Sequence, residues 1–221
     1  MSKPRRPALP PAPLLLLTLL FLAALASPAW AGPPESSGLV DVTKLDPSIA
    51  LDIRYATSDN FTGQTVYPVA KCFLRRPVAE RLAAVQAALK ADGLGLKVFD
   101  CYRPFSIQKK FWTLVPNENY VAKPVEQGGK LVQGSKHNRG AAVDLTLIDA
   151  QGRELVMPTG FDDFSEKASR GYSGNSPQAQ ANMKRLEAAM SSQGFSPLPS
   201  EWWHFDGPGW ENYDLLDAPI D

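Results

Sequence analysis

The chain lacks the charge pattern, the long apolar segments and the repeats that mark several classes of protein. Its 221 residues include 23 basic and 23 acidic side chains without a basic block, so nucleic-acid binding is not supported. Beyond residue 31, no apolar segment reaches the roughly 20 residues that a membrane-spanning helix needs. Because internal repeats, low-complexity tracts and interdomain linkers are also missing, we predict one domain over residues 39–221.

The first 31 residues have the features of an export signal rather than of a folded segment. Basic residues precede an apolar stretch at 14–25, and Ala29-Trp30-Ala31 has the small residues of a cleavage site. We therefore expect cleavage after Ala31, no stable membrane anchor afterwards, and an exported protein, either periplasmic or secreted. Cleavage removes three basic and no acidic residues, which leaves about 190 residues with a net charge of −3. Residues 32–38 are predicted to form a flexible leader, and a retained membrane anchor is the alternative.

Cysteine is scarce, since Cys72 and Cys101 are the only two in the chain. In the oxidising compartment that an exported protein meets, the two are expected to form a disulfide. The bond would close a loop of about 30 residues and stabilise the fold by about 3 kcal/mol. The alternative is a pair of buried free thiols.

The spacing of apolar residues, Gly and Pro predicts a mixture of helices and strands. Val78, Leu82, Val85 and Leu89 recur at helical spacing between a proline and a glycine, which predicts a helix over 77–93. Further elements are helices over 104–114 and 177–193, strands over 51–55, 96–99, 141–148, 154–156 and 201–206, and a long connection over 115–134. The C-terminal part of the sequence predicts strands joined by a hairpin turn rather than by helical crossovers. We therefore expect an α+β fold, with helices packed on a largely antiparallel sheet.

Histidine is equally scarce, and both histidines lie in segments typical of metal sites. His137 precedes Asp144 by seven positions, and His204 ends the segment Glu201-Trp202-Trp203-His204. Zinc binds imidazole nitrogen and carboxylate oxygen, and catalytic sites use three protein ligands with a fourth position for water. We therefore predict one Zn²⁺ per chain, held by His137, Asp144 and His204. A lone carboxylate argues against calcium, and a structural role is the alternative for each histidine.

Two charged residues are candidates for catalysis beside this metal. Glu201 lies three residues before His204, and in a flat strand that odd spacing places the two side chains on opposite faces. If the segment bends, Glu201 can act as a general base on zinc-bound water and then protonate the leaving amine. Arg103 follows a predicted strand and precedes a proline, so it can donate to a developing oxyanion. The alternatives are a surface glutamate and a solvated arginine.

At these residues the chain resembles the zinc D-alanyl-D-alanine dipeptidases, the VanX-type branch of the DD-peptidase/Hedgehog-like metallopeptidases. The resemblance extends from Arg54 to His204 through five blocks: 59–63, 100–104, 135–146, 160–162 and 201–204. It implies a Hedgehog/DD-peptidase-like fold, the three zinc ligands, Glu201 as base and acid, and Arg103 at the tetrahedral intermediate. It also implies cleavage of the free dipeptide D-Ala-D-Ala to two D-alanines. The small dipeptide pocket would be lined by Tyr55, Asp100, Ser135 and Asp162.

Other functions are compatible with the same residues. A peptidoglycan D,D-carboxypeptidase or an L-alanyl-D-glutamate endopeptidase on this fold would keep every ligand and change only the pocket. A non-catalytic, zinc-stabilised binding module is the alternative from another class, and the presence of both Glu201 and Arg103 argues against it. The export signal and Cys101 are departures from the family pattern, and the first suggests scavenging of wall-derived dipeptide.

Overall fold

The computed structural model describes Met1, Pro33 and residues 35–220. The predicted export signal, apart from Met1, lies outside the described residues. Within the part that is described, no helix has both the length and the apolar character to cross a membrane.

The described residues form three α-helices and nine β-strands. The helices are α1 (Arg76–Lys90), α2 (Phe105–Leu114) and α3 (Pro177–Ser191). The strands are β1 (Leu39–Asp41), β2 (Ala50–Leu51), β3 (Phe73–Arg75), β4 (Leu94–Asp100), β5 (Val125–Gln127), β6 (Lys130–Gln133), β7 (Ala142–Asp149), β8 (Ser196–Pro197) and β9 (His204–Asp206).

A five-stranded sheet in the order β2-β4-β7-β9-β8 forms the centre of the fold. Only β2 and β4 pair in parallel, and the other three pairings are antiparallel. Two small antiparallel pairs, β1-β3 and β5-β6, complete the strands of the described chain. The predicted α+β architecture with a largely antiparallel sheet is therefore confirmed.

The helices follow from the local sequence. Pro77 occupies the first turn of α1, where its missing N–H costs no hydrogen bond, and Gly93 ends the following turn with a φ of 68°. In α3, the hydroxyl of Ser176 caps the helix by accepting from the N–H of Ala179. The predicted positions of all three helices agree with the structure to within a few residues.

The hydrophobic core surrounds the central strand β7. Val143, Leu145 and Leu147 are fully buried on one face, and the opposite face of the strand is buried as well. Cys72 and Cys101 form a disulfide with Cα atoms 5.3 Å apart. The bond joins the residue before β3 to the residue after β4.

Several predicted elements differ from the structure. The strand predicted over 51–55 is only Ala50–Leu51, because a 3-10 turn at Arg54–Ala56 follows and turns Tyr55 into the core. The long connection over 115–134 contains the hairpin β5-β6, which its polar composition did not indicate. Instead of a strand over 154–156, a single bridge joins Ile148 and Glu154.

The last residues of the predicted leader are among those that the structure describes. Residues Glu35–Ser37 form a 3-10 turn, and Ser37 is buried because its carbonyl accepts from Arg75 and its hydroxyl accepts from the N–H of Leu39. These hydrogen bonds join residues 35–38 to the fold.

Candidate active site

Three elements bring the predicted metal ligands together. Asp144 of β7 and His204 of β9 are directly opposed in the antiparallel ladder, so their side chains share one face of the sheet. His137 comes from the 3-10 turn Lys136–Arg139, which Ser135 caps at its start and Gly140 ends with a φ of 67°. A Cβ on Gly140 would lie 2.4 Å from a methyl of Leu39, so the close approach of this turn to β1 requires glycine.

The distances within this cluster suit a small cation. Nε2 of His137 lies 3.1 Å from Nδ1 of His204, and Oδ1 of Asp144 lies 2.9 Å from the same Nδ1. Oδ2 of Asp144 lies 3.4 Å from Nε2 of His137. Ligand atoms arranged tetrahedrally at zinc distances of about 2.05 Å are separated by roughly 3.3 Å. The two imidazoles and the carboxylate, all buried, therefore form a triad that fits zinc.

The charges around His204 also point to a cation. Burial lowers the pKa of His204, but hydrogen bonds to Asp144 and Asp206 outweigh it and raise the pKa to about 10. Burial raises the pKa of Asp144, yet the neighbouring His137 and His204 lower it below its usual range. Without a metal the imidazole therefore retains a proton between two carboxylates. A bound cation displaces that proton, because a ligating imidazole must be neutral.

Glu201 lies beside the triad because the chain bends before β9 begins. Trp202 and Trp203 form a bend, β9 starts at His204, and Oε2 of Glu201 lies 4.0 Å from Nδ1 of His204. The bend that the odd spacing demanded is thus present, and the expected six-residue strand is shortened to three. Burial raises the pKa of Glu201. A raised pKa brings a carboxyl closer to the working range of a general base and acid.

Arg170 holds this bend in place, a role that no local sequence pattern predicts. Its guanidinium donates to the carbonyls of Leu198 and Trp202 at 2.9 and 2.8 Å. It also stacks on Phe205 at 4.5 Å and pairs with Glu187. The backbone that carries Glu201 is therefore fixed by a half-buried cation from a distant loop.

Arg103 is buried, and its guanidinium uses only part of its donor capacity within the described residues. Its Nη2 donates to Asp100 at 2.6 Å and its Nη1 to Gln108 at 2.8 Å, whereas the buried Nε has no hydrogen-bond partner among the described residues. The guanidinium lies over the rings of Tyr55 and Phe111. Burial lowers the pKa of Arg103, but the charge of Asp100 more than compensates and raises it. Arg103 is therefore a fixed cation with donor capacity available to a ligand.

Asp100 has a different position from the one expected of a pocket-lining residue. It is fully buried, outside the cavity lining, and accepts from Tyr67, from the N–H of Cys101 and from Arg103. Both of its oxygens accept hydrogen bonds from the protein, so it contacts Arg103 instead of a ligand. Tyr67 and Gln108 complete this network, and neither lies in a segment that the sequence pattern marks as part of a site.

The remaining predicted pocket residues line the cavity. The hydroxyl of Tyr55 donates to Oδ2 of Asp162 at 3.0 Å, and Asp162 has a left-handed φ of 59°. Burial and the charge of Asp144 raise the pKa of Asp162 well above its usual range. Ser135 lines the cavity too, although its hydroxyl accepts from the N–H of His137 as a cap. The side chain of Asn138 accepts from the N–H of Ser135 in return, so the two residues form a capping box.

These side chains surround one cavity of about 300 Å³. Arg103, Glu201 and the metal triad lie on its walls, together with Tyr55, Ser135, Asp162, Trp203, Tyr120 and Phe164. Trp203 faces the cavity, while Trp202 packs behind it and donates to Thr159 at 2.9 Å. A volume at the lower end of the range for ligand sites, roughly 300–1,000 Å³, fits a small molecule.

Comparison with known proteins gives one consistent family. The family described as "D-ala-D-ala dipeptidase" matches residues 35–218. The chain is 36% identical over 182 residues to a D-alanyl-D-alanine dipeptidase of Escherichia coli, covering 82% of this chain and 91% of that protein. It is 32% identical over 197 residues to a D-alanyl-D-alanine dipeptidase of Enterococcus faecalis, covering 83% and 94%.

A solved structure is also similar. It is the LD-carboxypeptidase LdcB, described for its recognition of peptidoglycan, which is 19% identical with a TM-score of 0.46. The match covers 81% of this chain and 71% of that one.

Proposed function

Because the chain belongs to the D-Ala-D-Ala dipeptidase family of peptidases, we propose that it hydrolyses D-alanyl-D-alanine to two D-alanines. One observation carries the proposal. Two buried histidines and an aspartate converge within hydrogen-bonding distances in a cavity of about 300 Å³ that Glu201 and Arg103 also line. A non-catalytic binding module would need neither Glu201 nor Arg103.

The cofactor we propose is one Zn²⁺ per chain. Nε2 of His137, Nδ1 of His204 and the carboxylate of Asp144 would hold it. When bound, zinc supplies a Lewis acid that polarises the scissile carbonyl and lowers the pKa of water.

The chain's own residues supply the proton transfers and the charge stabilisation. Glu201 takes a proton from the attacking water and passes it to the nitrogen of the leaving D-alanine. Its half-buried position and raised pKa suit both roles, because the same carboxyl must accept and then release one proton. Arg103 donates to the oxygen of the tetrahedral intermediate, and its charge is held in place by Asp100.

The pocket suits a substrate with two charged ends. Asp162 and the hydroxyl of Tyr55 form a polar pair that an ammonium group can approach. The raised pKa of Asp162 falls when a cation arrives, since an opposite charge favours the ionised carboxyl. Ser135 and Lys136 line the cavity as donors for a carboxylate. A cavity of this size leaves little room for a longer peptide.

The test is a substrate panel measured before and after chelation. The protein, expressed from residue 32 and purified without a histidine tag, is assayed with D-Ala-D-Ala, L-Ala-L-Ala, and intact wall stem peptides. We expect turnover of D-Ala-D-Ala only, loss of turnover on chelation, and recovery with zinc. Cleavage of stem peptides instead would identify a D,D-carboxypeptidase or an L-alanyl-D-glutamate endopeptidase. Zinc binding without turnover of any substrate would identify a binding module.

We also propose that the chain is exported. The disulfide between Cys72 and Cys101 supports this, because such bonds persist in oxidising compartments, and so does the signal-like segment at 1–31. N-terminal sequencing of the protein recovered from a secreting host should begin at Gly32. Recovery of the uncleaved chain from the membrane fraction would contradict the proposal.

A further inference from the structure

The two histidines of the triad present different ring nitrogens to its centre. Nδ1 of His137 lies 2.7 Å from the carbonyl oxygen of Cys101, so that nitrogen carries the proton and Nε2 is free. His204 has the reverse arrangement, because its Nε2 lies 3.0 Å from Oδ1 of Asp206 and its Nδ1 faces His137 and Asp144. Each ring is therefore oriented by an acceptor on its outer side, one a carbonyl and the other a carboxylate.

The β7-β9 ladder explains why Asp206 can reach His204. Residues two apart in a strand share a face, so Asp206 points to the same side of β9 as His204. Across the ladder, His204 is opposite Asp144 and Asp206 is opposite Ala142. The small side chain of Ala142 leaves space for the carboxylate, which is 6% exposed.

Lys136 holds Asp206 from the other side. Its Nζ lies 2.5 Å from Oδ2 of Asp206, so the two oxygens of the carboxylate have separate partners, His204 and Lys136. The ammonium also lies 4.6 Å from the ring centroid of Trp210, which follows β9 after a tight turn. Since Lys136 directly precedes His137, the residue next to one ligand anchors the carboxylate behind the other.

We propose that Asp206, held by Lys136, is a positioning residue that keeps the proton of His204 on Nε2 and so presents Nδ1 to the metal. A carboxylate accepts but does not donate, so it permits only the ring orientation and tautomer that leave Nδ1 free. Outer partners of this kind contribute about 10–100-fold to metal affinity. The inference rests on the proposed zinc site, and its test separates the two.

The first measurement uses the scarcity of histidine. A protein labelled with ¹⁵N-histidine and starting at residue 32 contains only the rings of His137 and His204. In the zinc-loaded protein, long-range ¹H–¹⁵N correlations should show one ring protonated on Nδ1 and the other on Nε2. Two rings with the same tautomer would overturn the assignment.

The second measurement is zinc affinity, determined by competition with a chromophoric chelator. Asp206→Ala should bind zinc about 10–100-fold more weakly than the unmodified protein. Lys136→Met should reduce zinc affinity less than Asp206→Ala does, because Asp206 still accepts from the Nε2–H of His204. Lys97→Met is the matched control. Nζ of Lys97 lies 3.1 Å from Oε1 of Glu154 in a surface ion pair, and Lys97 does not line the cavity. The zinc affinity of this variant should equal that of the unmodified protein.

A double variant distinguishes positioning from simple loss of charge. In Asp206→Asn, the single amide oxygen is contested by the ammonium of Lys136 and the imidazole N–H of His204. When the oxygen turns to Lys136, the amide NH₂ faces His204 and favours the wrong tautomer. When Lys136→Met is combined with Asp206→Asn, the amide oxygen at position 206 has no competing ammonium and can accept from the Nε2–H of His204. The carbonyl oxygen of Cys101 accepts from the Nδ1–H of His137 in the same way. We therefore expect Lys136→Met to raise zinc affinity in the Asp206→Asn background but not in the unmodified protein, whereas an effect of charge alone predicts the same change in both backgrounds.

The outcomes separate the inference from the function it rests on. Wild-type protein that binds no zinc overturns both the metal site and the role of Asp206. Wild-type protein that binds zinc, with Asp206→Ala of equal affinity, overturns the role of Asp206 alone. Should Asp206→Ala fail to fold, the isosteric Asp206→Asn and the tautomers of the unmodified protein decide the matter. Thermal unfolding of the metal-free variants shows whether any loss of affinity reflects a damaged fold.

Discussion

Replacement of Arg103 by alanine should separate a catalytic role from a structural one, provided that its buried partner Asp100 is also replaced in a second variant. Asp100 is fully buried, and within the described part of the chain its 2.6 Å bond to Arg103 is its only ion pair with a lysine or arginine. Arg103→Ala alone leaves that charge uncompensated, which costs about 3–5 kcal/mol of folding free energy. For a protein of typical stability, about 5–15 kcal/mol, such a loss can lower activity merely by unfolding the chain.

The compensating change is Asp100→Asn. The amide oxygen can still accept from Tyr67 and from the N–H of Cys101, as Oδ1 of Asp100 does at 2.7 and 2.8 Å. The amide NH₂ then occupies the side vacated by the guanidinium, and no buried charge remains. The double variant Asp100→Asn/Arg103→Ala should therefore recover most of the stability that Arg103→Ala loses.

Activity should not recover with stability. If Arg103 donates to the developing oxyanion, both variants should turn over D-Ala-D-Ala about 10²-fold more slowly, corresponding to about 2.7 kcal/mol of transition-state stabilisation. The assay compares kcat, zinc content and the free energy of unfolding for the two variants and the unmodified protein. A double variant with normal kcat, or a kcat that simply follows the folded fraction, would refute a direct role for Arg103 in the reaction.

Three further predictions concern the metal, the base and the disulfide. Glu201→Ala should keep its zinc and lose at least about 10²-fold in kcat, since it removes the proton carrier and none of the proposed ligands; loss of zinc would make Glu201 structural. His204→Ala should bind no zinc at micromolar concentration, and full metal content by atomic absorption would contradict the ligand set. Cys72→Ser/Cys101→Ser should unfold about 10 °C lower, because opening a loop of this length costs about 3–4 kcal/mol; an unchanged Tm on calorimetry would contradict this.

Much of the candidate site was accessible from the sequence because its chemistry requires scarce residue types. A chain with two histidines offers few ways to build an imidazole site, and alternation along β7 indicated that Asp144 faces away from Val143 and Leu145. The structure brings His137, Asp144 and His204 together as expected. The helices were also predictable, since apolar spacing and flanking proline and glycine are local signals.

Other features depend on which residues meet across the fold. The sequence indicated that Glu201 needs a bend, but Arg170, which holds the bend through the carbonyls of Leu198 and Trp202, lies in a distant loop. Asp100 was expected to face a ligand, and its burial against Tyr67 and Arg103 shows that position in a motif does not specify what a side chain contacts.

By itself, the sequence determined which kinds of atoms are available: two imidazoles, their neighbouring carboxylates, one arginine after a strand, and the helical faces that pack around them. Only the tertiary structure decided which nitrogen of each ring faces the centre, because that choice depends on the Cys101 carbonyl and the Asp206 carboxylate behind the rings. The physical reason is that residue type and local periodicity act over a few positions, whereas hydrogen-bond geometry joins residues tens of positions apart.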